Sequence, residues 1–270
     1  EADAKVRVAI VGGGATGVEL SAELFNAAGS LRHYGLEVFD ESRLEVTLME
    51  AGPRLLPALT EDLSETVAEQ LSELGVRVMR GTQVTEVEPG RVHTKGGEAV
   101  EADLIVWAAG VKGAPFVRGL SDLELDRMDR LVVRPTLQTT KDDRIFAIGD
   151  CCSCTLPGQE RPVPPRAQSA HQMAEHALRQ LDRAQRGEPL EDFVYRDKGS
   201  LVSLSRYSTI GSLMGNLVGG RMAVEGRLAR LAYLSLYRLH LIAIHGWLRA
   251  LGLIAVGHVN RIARPRLKLH

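Results

Sequence analysis

Residues 10–24, IVGGGATGVELSAEL, pass from an apolar run through three consecutive glycines into an amphipathic stretch. Gly12, Gly14 and Gly17 stand at the G-x-G-x-x-G spacing with which a strand–turn–helix grips the pyrophosphate of a dinucleotide. The first glycine permits the tight turn, the second lets the backbone approach the phosphates, and the third lets the helix pack closely on the strand. The helix N-terminus adds N–H donors and the positive end of its dipole. A bare triad is a weak signal and also fits a generic tight turn. Here an apolar strand-like run, Val6 to Val11, precedes it and the amphipathic stretch with Val18, Leu20, Ala22 and Leu24 follows, which is the context the motif requires.

The 270 residues suggest about two domains, and 44% apolar with 25% charged residues is a composition that folds around a core. The net charge of −1 hides an asymmetry. From Arg221 onward there are nine Lys/Arg and one acid, Glu225, so this stretch carries +8 and the preceding 220 residues −9. Such a tail points to an anionic surface, either nucleic acid or membrane. Cys151, Cys152 and Cys154 form one short cluster. An odd number so close together argues against a disulfide framework and for a reducing compartment, and no second Cys/His group completes a metal set. With Glu1 first and a strand beginning within a few residues, the chain reads as a piece of a longer one.

Strand and helix patterns alternate through residues 5–110, which favours a parallel sheet. The spacing predicts strands at 5–11 and 44–50 around a helix at 15–28, with a polar excursion at 29–43. A second helix is predicted from Thr60, as N-cap, to Gly75. Short strands are predicted near 76–79, 84–87 and 91–94. Leu104 to Gly110 reads as a buried strand, and so does Arg144 to Asp150. A proline-rich loop then opens a helix at 166–186, with short strands near 193–210. The domain boundaries expected are 1–115, 116–220 and 221–270.

Glu50 ends the second strand, where an acid in a dinucleotide fold accepts hydrogen bonds from the adenosine ribose and repels a 2′-phosphate, selecting NAD over NADP. The excursion at 29–43 accounts for its long separation from Gly17, and Arg54 nearby would soften the discrimination. A solvated strand-end acid is the plainer reading. Glu19, two residues into the helix, lies near the cofactor or merely complements the helix dipole. Gln168 and Gln172, four apart, share one helix face, as two exposed polar residues also would.

GGGATGVELSAEL (12–24), VWAAGVK (106–112), IFAIGDC (145–151) and PPRAQSAHQ (164–172) occur in this order. Together they resemble type II NADH dehydrogenase, the single-subunit NADH:quinone oxidoreductase of respiratory membranes that pumps no protons. The similarity runs from about Val6 through the tail IARPRLKLH and is nearest to the bacterial enzymes. It implies an α/β flavoprotein with two dinucleotide-binding domains. A Rossmann-like NADH domain (1–115) would be followed by the C-terminal part of an FAD-binding domain (116–220) and an amphipathic, membrane-associating helical tail (221–270).

The resemblance assigns Gly12, Gly14, Gly17, Glu19 and Glu50 to NADH, with Ala109-Gly110 as the turn beside it. Gly149, Asp150, Ala167 and Gln168 fall to FAD, with Asp150 on the ribityl chain. Gln168 and Gln172 lie near the flavin ring and quinone, and Lys198 near the quinone entrance. The implied reaction passes hydride from NADH to FAD and then two electrons to ubiquinone or menaquinone. Glu19, Gln168, Gln172 and Lys198 are the candidate catalytic residues. No second glycine-rich turn exists in these 270 residues to hold the FAD pyrophosphate. Either the upstream FAD half lies outside this chain, or the chain alone does not turn over.

From Arg227 to Arg249 the basic residues fall on one helical arc of about 100° at 3.6 residues per turn, apart from His240, with Tyr233, Tyr237, Trp247 and most Leu/Ile on the remainder. No uncharged run is long enough to span a bilayer. The pattern fits a helix lying in the interface, broken at Gly246 or Gly252. Arg261, Arg264, Arg266 and Lys268 add attraction to anionic lipid. A core or homodimer-interface helix is the alternative, and nucleic acid is disfavoured because no recognised module accompanies the charge. A peripheral location on the cytoplasmic face of a bacterial inner membrane follows. Competing functions are a sulfide:quinone or disulfide reductase, which needs redox cysteines at the flavin, and a non-catalytic NADH-sensing module.

Overall fold

The structure, a computed structural model, describes residues 5–31, 39, 41–120, 122–204, 208–215, 220–225, 235, 238–239 and 241–263. It divides into two units, residues 1–109 with 199–270, and residues 110–198. In chain order the elements are β1 (Val6–Val11), α1 (Ala15–Ser30), β2 (Leu44–Met49), α2 (Glu61–Glu73), β3 (Arg77–Met79), β4 (Val84–Glu88), β5 (Arg91–Thr94), β6 (Ala99–Glu101) and β7 (Leu104–Trp107). They continue with α3 (Val117–Leu120), β8 (Leu131–Val133), β9 (Cys152–Cys154), α4 (Ala167–Gln185), β10 (Gly199–Leu204), β11 (Ser208–Gly215), β12 (Gly220–Glu225) and α5 (Trp247–Ala263).

In the first unit, β1 pairs in parallel with β2 and β7, and β2 with β3, giving the order β3-β2-β1-β7. Both faces of the second part of β1 are covered, which is why Val8 to Val11 is a continuous apolar run rather than an alternation, while Val6 and Arg7 at its start are not buried. Val8 and Ile10 pack with Val18, Ala22 and Phe25 of α1 and with Val67 and Leu71 of α2. Ala9 and Val11 pack with Val92 and Val100 from the antiparallel β4-β5-β6 layer and with Ala102 just after it. Val202 and Leu204 of β10 join the first of these cores. β10, β11 and β12 form their own antiparallel sheet.

α2 buries Leu63, Val67 and Leu71 at four-residue spacing, begins with Glu61 and Asp62 near its positive end, and stops before Gly75 at φ +96°. Thr60 holds the N-cap position with extended backbone, although its hydroxyl makes no capping bond.

Two expectations are corrected. Leu104 to Gly110 is not a buried strand: β7 is the sheet edge, with Leu104 and Trp107 52% and 61% exposed. Arg144 to Asp150 is not a strand either. The run is tied by single bonds from Thr139 N to the Ile145 carbonyl and from Ala147 N to the Leu137 carbonyl. The regular strand comes after the Gly-Asp turn, where β9 pairs in parallel with β8.

Much of the 29–43 excursion and of the basic tail lies outside the described residues, including Arg227, Arg230, Tyr233, Tyr237, His240, Arg264, Arg266 and Lys268. In the described part, residues 241–245 are helical and α5 follows. Gly246, at φ +73°, separates the two pieces, whereas Gly252 stays inside α5. The proposed helical arc is therefore interrupted just before Arg249.

Candidate functional site

The glycine turn joins β1 to α1 over the ends of β2 and β7. Gly12 N donates to the Met49 carbonyl at 2.8 Å, and Ala108 N to the Val11 carbonyl at 2.7 Å. Gly12 sits at φ +117°, and a Cβ there would lie 2.5 Å from the Ala108 oxygen and 2.7 Å from Ala109 N. A Cβ on Gly17 would lie 2.0 Å from the Gly12 oxygen. Only glycine fits either place. Gly14, the N-cap of α1, differs: its φ is −75°, no side chain caps the helix, and a Cβ would meet nothing within 4 Å. Open space in front of uncapped first-turn N–H groups is what a pyrophosphate requires, so the residues present fit a dinucleotide.

Glu50, half-buried, spans the turn. One carboxylate oxygen accepts from Gly13 N at 2.7 Å and the other from Gly52 N at 2.6 Å. Its backbone N–H donates to the Met79 carbonyl at 2.8 Å. The carboxylate is thus locked in orientation by its own loop, while each oxygen retains capacity for a further donor. Arg54 donates instead to the Pro57 carbonyl.

Sequence reasoning missed Gly13 and Gly52. A Cβ on Gly13 would lie 2.6 Å from Leu55 Cδ2 and 2.9 Å from a Glu50 oxygen. The third glycine of GGG was the available signal. Glu19 is half-buried on α1, and its carboxylate accepts from Ser203 N of β10 at 3.0 Å. Gly110 adopts φ +109° at the start of the second unit. Lys112, from the same motif, pairs with Asp129 at 3.1 Å beside Arg118 at 2.6 Å, and these cations hold the Asp129 carboxyl below its usual range.

In the second unit the Gly149–Cys151 turn lies at the head of α4. Gly149 has φ +71°, and a Cβ there would lie 3.4 Å from Ala170 Cβ. Asp150 is exposed. Ala167 opens α4 after Arg166, whose side chain makes no capping bond, so an acid-bearing turn and a helix N-terminus come together. This set fits one end of a flavin nucleotide: an acid for hydroxyls and a helix head for ring oxygens.

The amide of Gln168 donates to Asp197 at 3.2 Å and accepts from Lys198 N at 2.9 Å. Gln172 donates to the Arg196 carbonyl at 2.9 Å and accepts from Arg196 N at 3.0 Å. Gln168, Gln172 and the Lys198 backbone are therefore brought together at the start of α4.

The cysteines split. Cys151 is exposed, while Cys152 and Cys154 are buried, Cys152 against the Met173 sulfur at 3.7 Å. Burial pushes the Cys152 thiol up to about 12 and the Cys154 thiol up to about 11. Because only thiolate reacts, a neutral-pH alkylating reagent is expected to label Cys151 first, with the other two slower by about a hundredfold or more. Peptide mass spectrometry over a time course reads this directly, and equal rates at all three would refute the assignment.

Residues 1–174 match the family model described as pyridine nucleotide-disulphide oxidoreductase, and the chain belongs to that family. Within that class, it is similar to the type II NADH:quinone oxidoreductase of Haemophilus influenzae, 49% identical over 266 residues covering 98% of this chain and 60% of that protein. The protein of the same description from Staphylococcus saprophyticus is 34% identical over 225 residues, covering 82% of this chain and 55% of its own length. The fold resembles that of NDH2 from Plasmodium falciparum, solved in complex with NADH, with a TM-score of 0.71 and 18% identity over 88% of this chain and 63% of that one. The chain thus spans at most three fifths of the length of these two bacterial relatives.

Proposed function

We propose that this chain carries the NADH-binding part and the C-terminal flavin- and quinone-facing part of a non-proton-pumping NADH:quinone oxidoreductase. The observation that carries the reading is the 49% identity to such an enzyme across 98% of the chain, spanning both units. Residues 1–115, 116–220 and 221–270 are read as its NADH domain, part of its FAD domain and its membrane-associating tail.

On this reading Gly12, Gly14 and Gly17 cradle the NADH pyrophosphate, Glu50 orients the adenosine ribose, and the Ala109-Gly110 backbone flanks the nicotinamide end. The chemistry that bound FAD supplies is acceptance of a hydride and delivery of two electrons to quinone. Asp150 orients the ribityl hydroxyls, and Gly149, Ala167 and Gln168 position the ring at the head of α4. Glu19 keeps a carboxylate near the reacting end, held by Ser203 N. Gln172 lies near the site for ubiquinone or menaquinone, and Lys198 near its entrance.

The tail reading places the protein on the cytoplasmic face of a bacterial inner membrane, with a homodimer as a further use of the same surface. What supports interfacial binding is the exposure of Trp247 (63%) and Leu248 (80%), with Leu251, Leu253, Val256 and Val259 also exposed along α5. Among the described residues no helix is long and apolar enough to cross a membrane.

The test compares this chain with a version extended upstream to the length of the relatives. NADH is expected to bind both, with a dissociation constant between about 1 μM and 1 mM. The extended protein is expected to retain FAD and to oxidise NADH with a soluble quinone. An extended protein that folds and binds NADH but reduces no quinone would sink the reading.

A further inference from the structure

α4 carries a polar ladder at four-residue spacing: Gln168, Gln172, His176 and Gln180. Residues four apart stack on one helix face. Each of the four bonds the backbone of one extended segment. Gln168 accepts from Lys198 N at 2.9 Å, and Gln172 pairs with both the N–H and the carbonyl of Arg196. His176 Nε2 meets the Glu191 carbonyl at 3.0 Å, and Gln180 accepts from Glu191 N at 2.8 Å. Arg183 extends the series, donating to the Pro189 carbonyl at 2.8 Å.

The partners descend as the helix positions rise, so the segment 189–198 lies antiparallel along α4. The lengths agree. Twelve helical residues rise about 18 Å, and seven extended residues reach about 23 Å, enough to follow the helix with slight slack. Phe193 anchors the middle of the strap. It is buried, its N–H donates to the Pro135 carbonyl at 2.8 Å, and its ring meets His176 edge-on with centroids 5.5 Å apart.

An extended segment against a helix has no strand ladder to satisfy its backbone, so its N–H and C=O groups turn to side chains or to water. The ladder supplies them. Gln172 matches Arg196 as a neighbouring strand would, using one donor and one acceptor. Gln180 is fully buried and His176 nearly so, so the far end of the clasp is shielded from competing water.

We propose that Gln168 and Gln172 are positioning residues, which together with His176 and Gln180 clasp the 189–198 strap to α4 and so fix Lys198 at the head of the helix. Only the use of Lys198 toward quinone rests on the function proposed above; the clasp stands on its own geometry.

Hydrogen exchange resolved at single amides tests it. In Gln172→Leu, Arg196 N–H is expected to exchange about tenfold faster, with the α4 amides unchanged. Gln172→Glu keeps the acceptor but loses the donor and is expected to fall between. Gln168→Leu is expected to speed exchange at Lys198 in the same way.

In the upstream-extended, flavin-loaded protein the quinone KM is expected to rise in the order Gln, Glu, Leu at position 172, with the NADH KM unmoved. Unchanged exchange in both leucine variants overturns the clasp. A raised quinone KM alongside unchanged exchange would make Gln172 a direct ligand and overturns it equally. Faster exchange with an unmoved quinone KM supports the clasp and removes the quinone role of the strap.

Discussion

Gly17→Ala is expected to lose NADH binding and about 3 kcal/mol of stability together. The added Cβ would sit 2.0 Å from the Gly12 oxygen, 3.2 Å from the Gly12 carbonyl carbon and 3.3 Å from Ile10 Cγ2. The first two are backbone and cannot rotate aside, so α1 would have to lift from β1. That movement strips contacts from Val18 and Ala22, both fully buried at present, and disturbs the bond from Ser21 Oγ to the Gly17 carbonyl. It also displaces the first-turn N–H groups from the mouth of the site.

Gly14→Ala separates the two effects. Its backbone is ordinary for alanine and the space is open. Stability should stay within about 0.5 kcal/mol of the parent, while binding weakens because the methyl enters the space taken by phosphate. Denaturant unfolding and a fluorescence titration with NADH read the pair. Wild-type NADH affinity in Gly17→Ala would remove the dinucleotide role from this turn.

The parts legible in the sequence are those set by short-range rules. The β1 turn α1 unit, β2 ending at Glu50, and α2 between Thr60 and Gly75 all follow from periodicity and punctuation within a few residues. Periodicity cannot say whether an apolar run is central or at an edge, because that depends on which strands pair. β7 is at an edge for that reason, although its composition matches a buried strand. The run Arg144 to Asp150 carries the same composition but finds only single bonds to the 134–139 turn.

Partnerships made across long separations were equally hidden. Ser203 meets Glu19 across 184 residues, and Arg196 and Lys198 meet α4 across 24 and 30. The Gln168/Gln172 spacing announced a shared face but not what covers it, and His176 and Gln180 at the same period were the unread half of the signal. Within the glycine turn the spacing rule named three glycines. The tightest side-chain packing falls on a fourth, Gly13, because the motif describes ligand approach and Gly13 serves the loop that holds Glu50.

Glu50→Gln is expected to weaken NADH binding and to erase most of the preference for NADH over NADPH. The carboxylate accepts from Gly13 N and Gly52 N at once. A glutamine keeps one acceptor and turns its NH₂ toward the other N–H, so one charge-assisted bond is lost and a donor faces a donor. The loop should lose about 2 kcal/mol, and NADH affinity falls with it.

The charge has a separate consequence. A carboxylate and a 2′-phosphate about 8 Å apart at an effective dielectric near 20 repel by about 2 kcal/mol, roughly thirtyfold in binding. Removing the charge relieves NADPH of that repulsion, so the ratio of the two affinities should shift by about tenfold or more at low salt, and by less as salt screens the pair. Calorimetric titration of parent and variant with both nucleotides separates the roles of Glu50. A purely structural carboxylate would weaken NADH and NADPH by the same factor. A ribose-reading carboxylate weakens NADH and improves the standing of NADPH against it. Equal loss for both would leave Glu50 as a brace for Gly13 and Gly52 and move the choice of nucleotide elsewhere on the loop.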